Sequence, residues 1–199
     1  QLFYTAPTFE SAISMFRSEQ DDLIGRTEIA PTSFEFQNSS DLKIEGVELE
    51  TKYTYSEHYF ASGSFTYQRN RASGGVDDFT LQPHSIAKIG LGYNSDNWTV
   101  GLFNSYFSRY ANSNEVTAIV STVNSRSKPY NNLSCNVQYR LPTERLTSKI
   151  SNLKLGLFVD NILDEDVYLP TIPGSPFASQ NTLPTQRGIS FLVTLSFSF

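Results

Sequence analysis

One cysteine, one methionine, one tryptophan and two histidines are all that 199 residues contain of these types. Cys135, being alone, excludes an internal disulfide and leaves the redox compartment open. His58 and His84 lie too far apart in sequence to form a metal motif. Charge is sparse too. Charged residues make up 18% and hydrophobic residues 39%, where soluble globular chains carry about 25% and roughly 45–50%. A net charge of −5 argues against a nucleic-acid partner, which would need a clustered basic surface. No apolar run approaches the roughly 18 residues that a membrane helix requires. No Gly-x-Ser-x-Gly elbow is present, so no catalytic residue, cofactor or metal ligand is assigned. Gln1 rather than Met opens the chain and no signal peptide is visible. The expectation is a processed chain or a fragment.

Small polar residues and aromatics take the vacant places. There are 26 Ser, 17 Thr and 14 Asn, together with 15 Phe and 11 Tyr. So many aromatics exclude disorder. The dominant pattern has period two, the signature of half-buried strands. From Ile189 to Phe199, Ile189, Phe191, Val193, Leu195, Phe197 and Phe199 alternate with Ser190, Leu192, Thr194, Ser196 and Ser198. Leu133, Cys135, Val137, Tyr139 and Leu141 alternate with Asn132, Ser134, Asn136, Gln138 and Arg140. Eight long strands are expected at 9–20, 32–55, 59–70, 84–94, 97–110, 130–141, 152–163 and 187–199, with residues 1–4 ending a ninth. Ser56–His58 and Ser95–Asp96 read as tight turns. Arg71–Pro83, Ala111–Pro129 and Asp164–Gln186 read as long loops, and 142–151 is intermediate.

Strands of about ten residues with short and long connections in alternation describe the wall of a transmembrane β-barrel. A soluble β-sandwich also alternates, but it would place its aromatics mid-strand. Here Tyr53, Tyr55, Tyr59, Tyr93, Trp98 and Tyr139 stand beside the short connections, and Tyr106, Tyr110 and Tyr130 beside the long ones. All nine are expected on the lipid-facing parity, as two interfacial girdles. The fold class is therefore all-β: an antiparallel up-and-down meander of about eight long strands, one partial barrel domain over residues 1–199. A closed eight-stranded barrel serving as an anchor or adhesin is the alternative.

Several motifs resemble the C-terminal part of the barrel in TonB-dependent outer-membrane receptors. Asn38 precedes Ile44-Glu45-Gly46-Val47-Glu48-Leu49-Glu50, similar to that family's Gly-Val-Glu strand. Asn161-Ile162-Leu163-Asp164 is similar to the Asn-Leu-Phe-Asp that closes its penultimate strand. Arg187 opens the final strand and Phe199 closes it. Gln186 replaces the usual Gly before the Arg, and three residues separate Asp164 from Tyr168. The resemblance implies the outer membrane of a Gram-negative bacterium and active uptake of a scarce solute such as a ferric siderophore. It also implies an N-terminal plug and further barrel wall in the same protein, contact with TonB through that N-terminal part, and outer-membrane lipid around the wall. Phe199 would be the signal to the barrel-assembly machinery.

Within that frame Glu48, Glu50 and Lys52 share one parity and are expected to face the lumen as plug contacts, with Arg140, Lys154 and Asp160. A charge facing lipid at the midplane would cost about 2–4 kcal/mol. Tyr168 and Phe177, in the proline-rich Asp164–Gln186 loop, are expected to be apolar anchors for ligand. The acidic clusters Asp21-Asp22, Asp77-Asp78 and Asp164-Glu165-Asp166 read as turn residues before they read as Ca²⁺ ligands, because no Asp-x-Asp-x-Asp-Gly loop is present.

Overall fold

The computed structural model describes residues 1–30, 33–75, 77–78, 82–110, 128–142, 151–168 and 186–198. Nine strands form one sheet: β1 Leu2–Ala6, β2 Phe9–Ala30, β3 Ser33–Thr54, β4 Tyr59–Ala72, β5 Ser85–Asn94, β6 Trp98–Phe107, β7 Tyr130–Arg140, β8 Ser151–Asp160 and β9 Ser190–Ser198. Their spatial order is their chain order, and every neighbouring pair is antiparallel. The meander therefore has no crossover. Among the described residues no helix is long and apolar enough to cross a membrane.

Register assigns each side chain to a face, because paired residues project the same way. Phe9–Tyr53–Ala61–Leu91–Leu102–Cys135–Val159–Phe191 is one continuous apolar row. Glu50–Ser64–Lys88–Ser105–Asn132 runs across the opposite face. The apolar face is uncovered: Phe191 is 72% exposed and Val193 65%, whereas among the described residues the buried hydrophobic side chains are Leu42, Ala72, Tyr130 and Val167, together with Pro83. A sandwich would bury this face against a second sheet. No second sheet exists among the described residues, so the sandwich reading is set aside. An uncovered apolar face this broad needs a lipid or protein neighbour.

The tight turns fall where expected. Tyr55 N–H donates to Tyr59 C=O at 3.0 Å and Ser95 N–H to Trp98 C=O at 2.8 Å. The turn-end aromatics gather into pairs, Tyr59–Tyr93 at 4.8 Å and Trp98–Tyr139 at 4.4 Å between ring centroids.

The ninth strand expected at residues 1–4 is β1, and β1 and β9 do not pair with each other, so the described sheet is open, as a partial barrel is, and the alternative of a closed eight-stranded barrel is set aside. Three expectations change. Residues 21–30, expected in a loop, continue β2, and with the start of β3 they run as a two-stranded ribbon past the end of β4, which joins β3 only from Leu42 onward. A bulge marks the start of the ribbon: register shifts between Gln20 and Leu23, Asp22 adopts φ 56°, and its N–H donates to Asp41 Oδ1 at 3.2 Å. The strands expected to reach 110 and 163 stop at Phe107 and Asp160, and the last begins at Ser190 instead of 187. Finally, Tyr130 belongs to the polar face. It pairs with Phe107, stacks on that ring at 4.9 Å and is 5% exposed, so it is no part of a lipid-facing girdle.

Candidate functional site

The polar face carries the charges singled out in the sequence. Glu48, Glu50 and Lys52 lie on alternate residues of β3, facing Ser14, Ala12 and Glu10 of β2 and Thr66, Ser64 and Ser62 of β4. Arg140 and Lys154 are direct cross-strand partners on the same face, and Asp160 pairs with Ser190 there. An open hollow on this face brings Glu50 and Lys52 together with Glu10, Lys88 and Phe103. Glu10 and Lys88 were not singled out in the sequence. Their signal was parity alone, since each occupies a polar-face position within its strand.

None of the six expected lumen charges makes an ion pair among the described residues; the ion pairs are Arg17–Glu19, Lys43–Glu45, Arg71–Asp77 and His84–Asp78. Like charges directly opposite one another in a sheet are destabilising, and Glu57 and Asp96, which share a hollow with Arg140, make no ion pair with it among the described residues.

The polar face is not uniformly polar. Phe103 lies flat across glycines of its own strand and of β5. A Cβ built on Gly101 would come within 2.6 Å of the ring, and one on Gly90 within 3.0 Å. Gly46 of the Gly-Val-Glu motif does the same for Phe16, whose Cζ lies 2.6 Å from the place of a Cβ. Glycine is needed here because the neighbouring ring occupies the space.

At the long-loop end the acidic clusters serve as fasteners. Asp77 accepts from Arg71 Nε at 2.6 Å, and Asp78 Oδ1 meets His84 Nε2 at 2.5 Å. The hydrogen bond from Arg71 holds the Asp77 carboxyl below its usual range. Asp164 Oδ1 accepts from Ile189 N–H at 2.9 Å, and Glu165 Oε2 accepts from Asn131 N–H at 3.2 Å. Among the described residues no group of three or more His, Cys, Asp or Glu is placed to hold a metal. Tyr168 is half-buried beside the buried Val167. Phe177 and Phe199 lie outside the described residues.

An open antiparallel wall, apolar on one face, polar on the other, with aromatics banked at its turns, defines a segment of a membrane β-barrel. The family model described as TonB dependent receptor-like, β-barrel, matches residues 4–162, and the chain belongs to that family. Solved structures agree in fold. The "Copper transporter OprC" is similar with TM-score 0.70 and 22% identity, over 99% of this chain and 30% of that one. The FrpB iron transporter of Neisseria meningitidis gives 0.66 and 17%, over 98% and 29%. A mutant of the ferric enterobactin receptor PfeA of Pseudomonas aeruginosa gives 0.66 and 15%, over 99% and 30%. The chain thus spans less than a third of these structures. No curated protein sequence matches it.

Proposed function

We propose that the whole protein is an outer-membrane receptor of a Gram-negative bacterium that takes up a ferric siderophore, and that this chain supplies part of its wall. Membership of the TonB-dependent receptor family supports the reading, with residues 4–162 matched. The observation that carries the role of this segment is the unpaired charge of the polar face, above all Arg140 opposite Lys154. In the proposal this face lines the lumen. Glu48, Glu50, Lys52, Arg140, Lys154 and Asp160 meet the plug, which completes the ion pairs that the wall leaves unmade. The apolar face meets outer-membrane lipid, the remaining wall pairs with the two sheet edges, TonB acts on the plug side, and Phe199 addresses the chain to the assembly machinery. The long connections point outward, and the loop after β8, with Tyr168 and Phe177, contacts the ligand.

Deleting the gene and measuring radio-iron uptake from a panel of ferric siderophores under iron limitation tests the reading. Loss of uptake of one siderophore, restored by the gene, is the expected outcome. Unchanged uptake of all of them, with loss of copper or another solute instead, would remove the ferric substrate.

A further inference from the structure

Beyond the transport reading, the apolar face shows a feature confined to β2, β3 and β4. Tyr59 and Tyr67 of β4 bracket Ala61, Gly63 and Phe65 on that face. Eight residues at about 3.4 Å, tilted by about 45°, rise roughly 19 Å, which fits within the roughly 25 Å height of an apolar band. One pleat above Tyr67 the face turns charged. Arg17, Glu45 and Arg69 form one row, and Glu19, Lys43 and Arg71 the next.

Three of these four cations are neutralised, Arg17 by Glu19, Lys43 by Glu45 and Arg71 by Asp77. Arg69 has no carboxylate at ion-pair distance among the described residues. It does not reach for Glu45, its cross-strand partner. It folds back along its own strand toward the apolar band, Nε donating to Tyr67 Oη at 2.6 Å and the guanidinium carbon 5.5 Å from that ring's centroid. With Nε engaged, the Nη edge of the fork has no carboxylate at ion-pair distance among the described residues; Asp77, already held by Arg71, acts on Arg69 only at longer range, and a guanidinium fork fits phosphate bidentately. Below it the surface is apolar and open, with Met15 82% exposed, Leu49 40% and Phe65 41%.

We infer that Arg69 and Tyr67 form a docking site for a phosphate-bearing lipid of the outer leaflet, its phosphate on Arg69 and its acyl chains along Met15, Leu49 and Phe65. The inference rests on the reading that the long connections lie outside the cell. Charge complementarity identifies the occupant: one cation without an ion-pair partner among the described residues, lowered to the rim of an apolar band, fits an anionic head above hydrocarbon tails.

The test uses the full-length receptor in detergent and native mass spectrometry with bis-phosphorylated lipid A or the same lipid dephosphorylated. The wild type should bind the phosphorylated form about tenfold more tightly, the worth of one charge-assisted hydrogen-bonded contact. Arg69→Gln should erase that preference, Arg69→Lys keep part of it, and Tyr67→Phe, which frees Nε, weaken it. Equal preference in wild type and Arg69→Gln would overturn the site. So would displacement by inorganic phosphate at equal concentration, which would make it an ion site and not a lipid site. Should Arg69→Gln fail to insert, Tyr67→Phe and Arg69→Lys decide alone. Lipid binding is read without transport, so a receptor that binds the lipid but takes up no siderophore would strike the transport reading and leave this one standing.

Discussion

Asn161 holds the backbone of Arg187 across 26 residues of chain, its Nδ2 donating to the Arg187 carbonyl at 3.2 Å. The same amide clamps Glu165, giving to its carbonyl at 2.9 Å and accepting its N–H at 3.0 Å. Asn161 is 5% exposed and sits at φ 49°, a left-handed conformation that Asn tolerates better than most residues. One side chain thus ends β8, shapes the turn after it and fixes where the chain returns to begin β9.

Asn161→Ala should therefore lower stability twice over. It strips a buried turn of its hydrogen bonds, about 1–3 kcal/mol, and it adds the left-handed backbone cost, about 1–2 kcal/mol. Asn161→Gly loses the bonds but not the conformation, so it should fall between Ala and wild type. The loss of heat-modifiability of the full-length barrel on gels, followed against temperature, gives the order. Equal midpoints for Ala and Gly would mean that backbone conformation plays no part.

Gly46 makes a second packing prediction. A Cβ there meets both the Phe16 ring and the carbonyl oxygen of Tyr67. Gly46→Ala should cost about 1–3 kcal/mol, the usual range for overpacking. Adding Phe16→Ala should recover part of the loss, because the ring can be removed while the Tyr67 carbonyl cannot. Strictly additive losses in the double variant would show that ring and glycine are independent.

The Arg140–Lys154 pair predicts opposite signs in two settings. Arg140→Glu converts a like-charge cross-strand pair into an attractive one, worth about 0.2–1 kcal/mol. A barrel lacking its plug should melt slightly higher. In the complete receptor the same change removes a cation that the plug is proposed to neutralise, so protection of the plug from protease should fall. A shift of the same sign in both would separate this pair from the plug.

The wall itself was legible because every strand with one apolar and one polar face writes that division into alternate residues. Leu133 to Arg140 and Ile189 to Ser198 show it best. The ribbon of β2 and β3 beyond Leu42 was not legible. Two strands that run past the end of β4 have no third strand to share a face with, so Asp21-Asp22 read as turn residues of a loop over 21–31. Tyr130 was misassigned against the strand's own alternation: it lies three residues before Leu133, on the parity of Asn132 and Ser134, and its place beside a long connection was given more weight than that count. Glycine beneath Phe16 and Phe103 could not be read either: Gly46 and Gly90 reach those rings only through strand pairing, and Gly101, two residues from Phe103, shows its role only once the direction of the ring is known. The Asn161-Ile162-Leu163-Asp164 motif was recognised by resemblance, and its reason, a clamp between β8 and β9, needed the fold.

The Arg71–Asp77 bridge makes the last prediction, which concerns pH. Arg71 donates to Asp77 and holds its carboxyl below the usual range, which for Asp lies near about 3.9. A carboxyl lowered in the folded state stabilises that state above its unfolded pKa, and the contribution disappears as pH falls through the lower, folded value. The fastening of the β4–β5 connection to the end of β4 should therefore survive mild acid and open only below the ordinary Asp range. Both partners are exposed, so salt should weaken the bridge and move the carboxyl back toward its usual value. Carboxyl-carbon NMR of the labelled full-length receptor would follow Asp77 directly. Its midpoint should lie below that of an unpaired Asp and should rise in Arg71→Gln. A midpoint unchanged by removing Arg71 would show that the two groups are not coupled, and the connection would then depend on Asp78 and His84 instead.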